Sequence, residues 1–331
     1  MRAVNNVSFF LLFFFTFMMT ISLYQCDSSN NLPKAIGEPL ELVIIKDKQL
    51  FGEDFYKSLK FSLHREIGPS PQPEKTLSII EIDVDKFTGI LKRHQNLLFI
   101  KQSETFNIGY KKNMFASNQL ALILSCPQNF DFNNNGSKLD SLLDKIRSTE
   151  INRMISSHQR SSTSNLSQQI RNTHNLEFTL PSGFFNAYQD SLTTWIRRET
   201  PKISQGIFLS NLNPGFNFAN SNKEDLLTQI NLKIRDHISG PIKESYMVVD
   251  KEAPITLDTV LIDNIKAIKI QSLWRMENDF MGGIFLAYFL IKKERPILIY
   301  SYLYAPGEQK KIPLLQLEAL VSTLKKTKAE L

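Results

Sequence analysis

Trp274, Arg275, Glu277, Asn278, Asp279 and Phe280 run directly into Met281-Gly282-Gly283. An indole, a guanidinium and two carboxylates ahead of a glycine pair could hold a polar partner such as a glycan. The ring would stack, the charges would hydrogen-bond, and glycine would let the backbone come close. The same residues also suit a β-hairpin in which Trp274 packs in the core and Gly282-Gly283 makes the turn. Alternation favours the hairpin. It places Ile268, Ile270, Ser272 and Trp274 on one side, with Ala267, Lys269, Gln271, Leu273 and Arg275 on a wetter side. Trp274, Arg275, Glu277, Asp279, Gly282 and Gly283 are therefore candidate ligand residues whose first expected role is structural.

Other groupings carry less chemistry. Trp195, Arg197 and Glu199 alternate on one face of a strand, opposite Ile196 and Arg198, as in a sheet with one wet face. Glu81, Asp83 and Asp85 also alternate, and three carboxylates could hold Ca²⁺. No glycine-turned loop surrounds them, so a strand running into a helix capped by Asp83 or Asp85 is the simpler reading. His64, His94, His158, His174 and His237 form no His-x-x-x-His or Glu-x-x-His zinc spacing. The chain has no Gly-x-Ser-x-Gly elbow, phosphate loop or dinucleotide fingerprint. No metal and no cofactor is expected.

The body that must position these residues alternates strand and helix at first. Leu40 to Lys46, Leu77 to Ile82 and Asn96 to Gln102 read as strands. Glu53 to Glu66 reads as a helix, as does a segment with Val84, Phe87 and Leu91 on its face. Asn107 to Ser125 suggests a hairpin pair. From Ser137 a helix runs with Leu139, Leu142, Leu143 and Ile146 inward, pauses near Ser161-Ser162-Thr163-Ser164 and resumes to about residue 175. The second half reads as strands at Leu176 to Tyr188, Thr193 to Glu199, Gly206 to Leu212, Ile265 to Arg275, Gly283 to Ile291 and Pro296 to Tyr304. Helices are expected at Glu224 to Ile238 and Pro313 to Lys326. The expected class is α+β, with largely antiparallel sheets packed with helices. The expected divisions are an N-terminal half over 40–136, a connecting helical segment over 137–175 and a C-terminal half over 176–331.

Ahead of this body lies a leader. Residues 1–25 hold one charge, Arg2, then an apolar run from Val7 to Leu23 with six phenylalanines, ending at Leu23-Tyr24-Gln25-Cys26. A basic start, an apolar stretch and an abrupt polar exit make a secretory signal. Leucine three places before cysteine is the lipoprotein cleavage pattern, which predicts acylation of Cys26, by chains such as palmitate, and a polar tether over 26–39. An uncleaved anchor of marginal length and ordinary secretory cleavage are the alternatives. All three place the body outside the cytoplasm. The formal charge of +6 falls to +5 without Arg2, and an exported chain with no basic stripe offers nothing to nucleic acid. With Cys26 lipidated, Cys126 has no disulfide partner and reads as a buried structural thiol.

Several short stretches together are familiar. They are Pro71-Gln72-Pro73-Glu74, Arg93-His94-Gln95-Asn96-Leu97-Leu98, Trp195-Ile196-Arg197-Arg198-Glu199-Thr200, and Gly240-Pro241 with Ser245-Tyr246-Met247. Leu273-Trp274, Asn278 to Phe285 and Tyr304-Ala305-Pro306 complete them. In this order they resemble, over nearly the whole mature chain, an uncharacterised lipoprotein family of the Bacteroidota catalogued as domain of unknown function 4837. The resemblance implies an envelope location and a lipid anchor, with no activity attached. Asp140-Ser141-Leu142, Asp190-Ser191-Leu192 and Asp258-Thr259-Val260 fit the Asp-Ser/Thr-apolar pattern that exported proteins of that group use for O-glycosylation, making Ser141, Ser191 and Thr259 candidates. The expectation is a lipid-anchored cell-envelope protein that binds or scaffolds, with the membrane and an envelope protein or glycan as partners. The alternative is a hydrolase of an envelope polymer. A cleft with two carboxylates, or a carboxylate and a histidine, would favour the hydrolase; an aromatic groove without them would favour binding.

Overall fold

Alternating strands and helices in the first half build a mostly parallel sheet. The computed structural model describes residues 32–160, 164–216, 218, 221–292 and 295–327. Cys26, the leader and most of the tether lie outside the described residues. Strand β1 (Glu41–Lys46), helix α1 (Glu53–Leu63) and strand β2 (Ser78–Asp83) form a βαβ unit, and β3 (Asn96–Gln102), β4 (Asn107–Lys112) and β5 (Leu120–Cys126) extend it. The order is β2-β1-β3-β5-β4, parallel except for the β4–β5 pair. Such strands are covered on both faces and need continuous apolar runs. Leu42, Ile44, Leu98, Leu122 and Leu124 pack against α1 and α2 (Asp140–Arg160), while Val43, Ile45, Leu97 and Ala121 pack beneath Phe87.

The segment carrying Phe87 corrects an expectation. Instead of one helix there are two short 3₁₀ turns, Val84–Lys86 and Gly89–Arg93, and Asp83 makes no side-chain cap. Gly89, the first residue of the second turn, has a φ of 53°, a conformation that interrupts a right-handed helix. The carboxylates of Glu81 and Asp83 instead face Lys46, Lys60 and Lys48. Among the described residues no cluster of His, Cys, Asp or Glu is arranged to hold a metal.

After α3 (Ser164–His174) the chain enters an antiparallel sheet. A two-residue strand, β6 (Leu176–Glu177), is followed by β7 (Phe184–Gln189), β8 (Thr193–Glu199) and β9 (Ser204–Asn211), then by α4 (Lys223–Ile234) and β10 (Tyr246–Val249). Next come β11 (Thr256–Ile262), β12 (Ile265–Glu277), β13 (Gly282–Leu290) and β14 (Ile297–Tyr304), and the chain closes with α5 (Lys311–Ser322) and β15 (Lys325–Lys326). The order is β10-β12-β13-β14-β9-β8-β7, with β11 also on β12. The α+β class with largely antiparallel pairing is thus what the chain adopts. The single strand expected over Leu176 to Tyr188 is broken by Pro181-Ser182-Gly183, with Gly183 at a φ of 94°. Strands β10 and β11 were not expected. The mostly exposed β11 lacks an apolar run, and its turn into β12 is Asp263-Asn264, both at positive φ, where a glycine would have been the plainer signal.

The expected wet face of this sheet is also corrected. One face carries Phe208, Ile270, Trp274, Phe285 and Tyr300 against α4. The other carries Ile207, Ala267, Leu286 and Ile299 against α3 and α5. Helix α5 is apolar nearly all round: Leu314, Leu317, Leu320 and Val321 face this sheet, whereas Leu315 and Ala319 join the core of the first half. A helix with two apolar faces is a buried helix, and here it joins the two sheets.

The Pro71-Gln72-Pro73-Glu74 stretch fixes where α5 begins. The Glu74 carboxylate accepts from the backbone N–H of Lys310 (2.7 Å) and Lys311 (3.1 Å), and Gln72 accepts from Lys310 Nζ (3.1 Å). A carboxylate on free N–H groups at a helix start satisfies orphan donors and the dipole together. Glu74→Ala is expected to cost about 1–2 kcal/mol, read as a lower urea midpoint with an unchanged slope.

Candidate functional site

The apolar face beneath α4 ends in a pocket of about 390 Å³. Period-two spacing puts two residues of each contributing strand on it: Trp195 and Arg197 of β8, Trp274 and Met276 of β12, and Tyr302 and Tyr304 at the end of β14. Met247 of β10 and Met281 of the β12–β13 hairpin complete the wall, and the loop Ile238 to Pro241 closes one side.

The intervening strands contribute glycine. Gly283 pairs with Trp274, and Gly206 pairs with both Tyr302 and Arg197. A methyl at Gly206 would lie 2.1 Å from the Tyr302 ring; one at Gly283 would lie 2.1 Å from the Leu303 carbonyl oxygen and 3.0 Å from Trp274 Nε1. The rings therefore lie across bare backbone, a close approach that only glycine permits. Trp274 is 1% exposed, donates Nε1–H to the Leu303 carbonyl at 3.3 Å and meets Tyr302 edge-on at 5.8 Å.

Arg197 is the cation of the pocket wall. Its guanidinium stands 5.3 Å from the Trp195 ring and pairs with Glu199 at 2.5 Å, and Glu199 also accepts from Ser204 Oγ at 2.9 Å. Burial pushes the Tyr302 phenol up to about 12, opposed by the Arg197 charge, so it stays neutral at physiological pH. No carboxylate and no histidine lines the pocket among the described residues. Three thioethers, four aromatic rings, one stacked cation and the hydroxyl-bearing Ser204 and Ser239 make an adaptable receptor of mixed polarity.

Exposed apolar side chains adjoin the wall residues Met281 and Pro241 in the chain. Phe280, at the hairpin tip, is fully exposed, and Ile242, beside Pro241, is half-exposed. Asn278 Nδ2 donates to the Glu244 carbonyl at 3.2 Å, tying the two rim segments together.

Of the sequence candidates, Trp274 and Gly283 build the pocket, with Gly282 beside them at the start of β13. Gly282-Gly283 does not make the turn, as the hairpin reading had it. The turn is Glu277 to Phe280, closed by Met276 N–H to the Met281 carbonyl at 2.8 Å with Asn278 at a φ of 62°. Arg275 and Glu277 pair with each other at 2.8 Å and do not line the pocket, nor does Asp279, which binds the Phe280 N–H at 2.6 Å. Ser141 at the start of α2, Ser191 in the β7–β8 turn and Thr259 in β11 are all exposed and outside the pocket lining. Cys126 is buried, and burial pushes its thiol up to about 11, as suits an inert structural cysteine. Met247, Met276, Met281, Tyr302 and Tyr304 were missed. Their one signal was the alternation Tyr300-Ser301-Tyr302-Leu303-Tyr304.

Residues 163–323 match the model of a family described as Domain of unknown function (DUF4837). They form a DUF4837 domain. The resemblance read over nearly the whole mature chain narrows accordingly, because residues 35–159 match a different family, Domain of unknown function (DUF8532). The familiar stretches within the DUF4837 domain, Trp195 to Thr200, Gly240 to Met247, Leu273 to Phe285 and Tyr304 to Pro306, all supply pocket residues. Those of the first half serve contacts elsewhere. Asn96 Nδ2 donates to Glu150 at 2.7 Å, and Glu150 pairs with Arg153 at 2.8 Å. No curated protein matches the chain. Among solved structures it is similar to the protein of unknown function PA94 from Pseudomonas aeruginosa, at 12% identity over 44% of this chain and 85% of that one. The TM-score is 0.24, too low to inform function.

Proposed function

We propose that this chain is a binding module of the cell envelope, anchored through lipid on Cys26, whose DUF4837 domain captures an apolar side chain of a partner protein. The observation that carries this reading is the pocket of methionine and aromatic side chains with Arg197 as its cation, and a fully exposed Phe280 next in the chain to the wall residue Met281. Methionine adapts to irregular apolar guests, and exposed aromatic anchors dominate protein interfaces. The Arg197 guanidinium would hold a carbonyl or carboxylate of the partner. Envelope-polymer hydrolysis asks for a general acid and base, which the lining does not supply.

The test is methionine-methyl NMR of the protein titrated with short peptides bearing Trp, Phe or Leu, and separately with chito-oligosaccharides. Peptides are expected to shift Met247, Met276 and Met281 saturably, and Phe280→Asp to weaken them roughly thirtyfold, the effect of an interfacial hot spot of about 2 kcal/mol. Saturable shifts from the oligosaccharides alone would replace the protein partner by a glycan. The anchor is tested separately: Cys26→Ala is expected to leave uncleaved precursor or release the chain from membranes.

A further inference from the structure

A second cavity, of about 360 Å³, lies in the first half of the chain between α2 and the β4–β5 loop. Lys34, Lys112 and Lys145 line it with Ser148, Thr149 and Asn152, and no carboxylate does. Arg153 also reaches it but is fully occupied. Its Nη1 donates to Asn96 Oδ1 and Glu150 Oε1, its Nη2 to the carbonyls of Gln95 and Asn118, and its Nε to Asn118 again. It is a floor for the cavity, not a free cation.

The three lysines differ from Lys46 at the end of β1 and Lys48 just beyond it. Lys46 and Lys48 pair with Glu53, Glu81 and Asp83. Among the described residues none of Lys34, Lys112 and Lys145 makes an ion pair. Lys145 Nζ lies 3.7 Å from the centre of the Tyr110 ring instead. The Ser148 and Thr149 hydroxyls donate to the Lys145 carbonyl at 3.1 and 2.8 Å, so the donors left are the ammonium groups and the Asn152 amide. Unpaired ammonium groups and an amide around a concave space are the recognition chemistry of a phosphate group.

The chain itself says which phosphate is near. Its first described residues are stitched to the rim of this cavity: the Pro33 carbonyl accepts from Ser117 N–H at 2.8 Å, Ala35 N–H donates to the Ser117 carbonyl at 3.1 Å, and Arg93 Nη2 holds the Lys34 carbonyl at 2.9 Å. Cys26 stands six residues before Leu32, a reach of at most about 20 Å of extended chain. We infer that this cavity takes the phosphate headgroup of an anionic phospholipid in the bilayer that holds Cys26, docking the first half of the chain on the membrane. The inference rests on the proposed lipid anchor for its geometry. A tether this short keeps the cavity at high effective concentration beside the headgroups, and each lysine near an anionic surface adds its own attraction.

The test uses the chain from residue 26 onward with Cys26→Ser, which retains every described residue and carries no lipid. It is sedimented with vesicles of phosphatidylcholine alone and with phosphatidylglycerol added. Binding is expected only to the second, and replacing Lys34, Lys112 and Lys145 together by Gln should weaken it about a hundredfold, from about 1 kcal/mol per lysine. The control Lys251→Gln with Lys266→Gln, on the other half, should leave it unchanged. Equal binding by the triple variant overturns the site, as does failure to bind either vesicle or inorganic phosphate. Saturable binding of inorganic phosphate without vesicle binding makes it a free-phosphate site and overturns the lipid assignment. Intact-mass analysis of the native protein tests the anchor independently: a bare Cys26 removes the anchor, while the vesicle results still decide the cavity.

Discussion

Trp274→Ala is expected to lower the melting temperature by on the order of 10 °C, the equivalent of about 3–5 kcal/mol for truncating a buried tryptophan. Three interactions go at once. The indole leaves the core formed by Ile270, Met276, Phe285 and Tyr302, its Nε1–H no longer satisfies the Leu303 carbonyl, and the bare backbone at Gly283 loses its cover. Filling that space from the other side is blocked, because any side chain at Gly283 meets the Leu303 carbonyl oxygen. Arg275→Ala, one residue on, removes only a half-exposed ion pair with Glu277 and is expected to shift stability by less than about 1 kcal/mol. Paired thermal melts of the two variants decide the matter. A Trp274→Ala protein with native stability would make the indole a ligand contact rather than a core residue. Because Trp274 also walls the pocket, a partially destabilised but folded variant such as Trp274→Phe is expected to lose peptide binding more than stability.

The neighbouring residues show how far sequence carries the argument. Trp274 was legible as core because Ile268, Ile270 and Trp274 alternate on one strand face, and the strands at 96–102 and 282–290 were legible from apolar runs near their observed bounds. The Val84 to Leu91 helix failed because Gly89 takes a left-handed conformation that a hydrophobic pattern cannot reveal. The second face of the large sheet was read as wet because Lys269 and Gln271 lie on it. Both are in fact paired across elements, Lys269 with Glu318 and Gln271 with the Ile67 carbonyl at 2.8 Å. The pocket was the least legible. Its rings come from β8, β12 and β14, and the signal that unites them is that Gly206 and Gly283 stand opposite Tyr302 and Trp274. That signal exists only once strand register is known.

The pairing of Lys269 has the other large expected effect. Glu318, on α5, accepts from Lys269 Nζ of β12 at 2.6 Å and from Arg147 Nη2 of α2, so one carboxylate ties both halves of the chain to the helix between them. Burial alone would raise its pKa, but the charges and hydrogen bonds of Lys269 and Arg147 outweigh burial and hold it below the usual carboxylate value. Glu318→Gln keeps the shape and removes the charge, leaving the mostly buried Lys269 ammonium without a counter-ion. The expected cost near pH 7 is about 2–3 kcal/mol, below the figure for a fully buried pair because solvent reaches both cations. Most of it comes from Lys269, since Arg147 is about a third exposed and is screened by solvent. The pH dependence follows from the depressed pKa. The glutamate's contribution is fully present above the unfolded value of about 4.3 and is lost as pH falls through the lower folded value. Urea unfolding at a series of pH values should therefore show the wild-type advantage over Glu318→Gln shrinking as the solution is acidified below that range. A gap that stays constant through acid would mean the two lose different contacts. The double change Glu318→Leu with Lys269→Met removes both charges of the buried pair and is expected to recover much of the lost stability, because an apolar pair of similar volume needs no counter-ion.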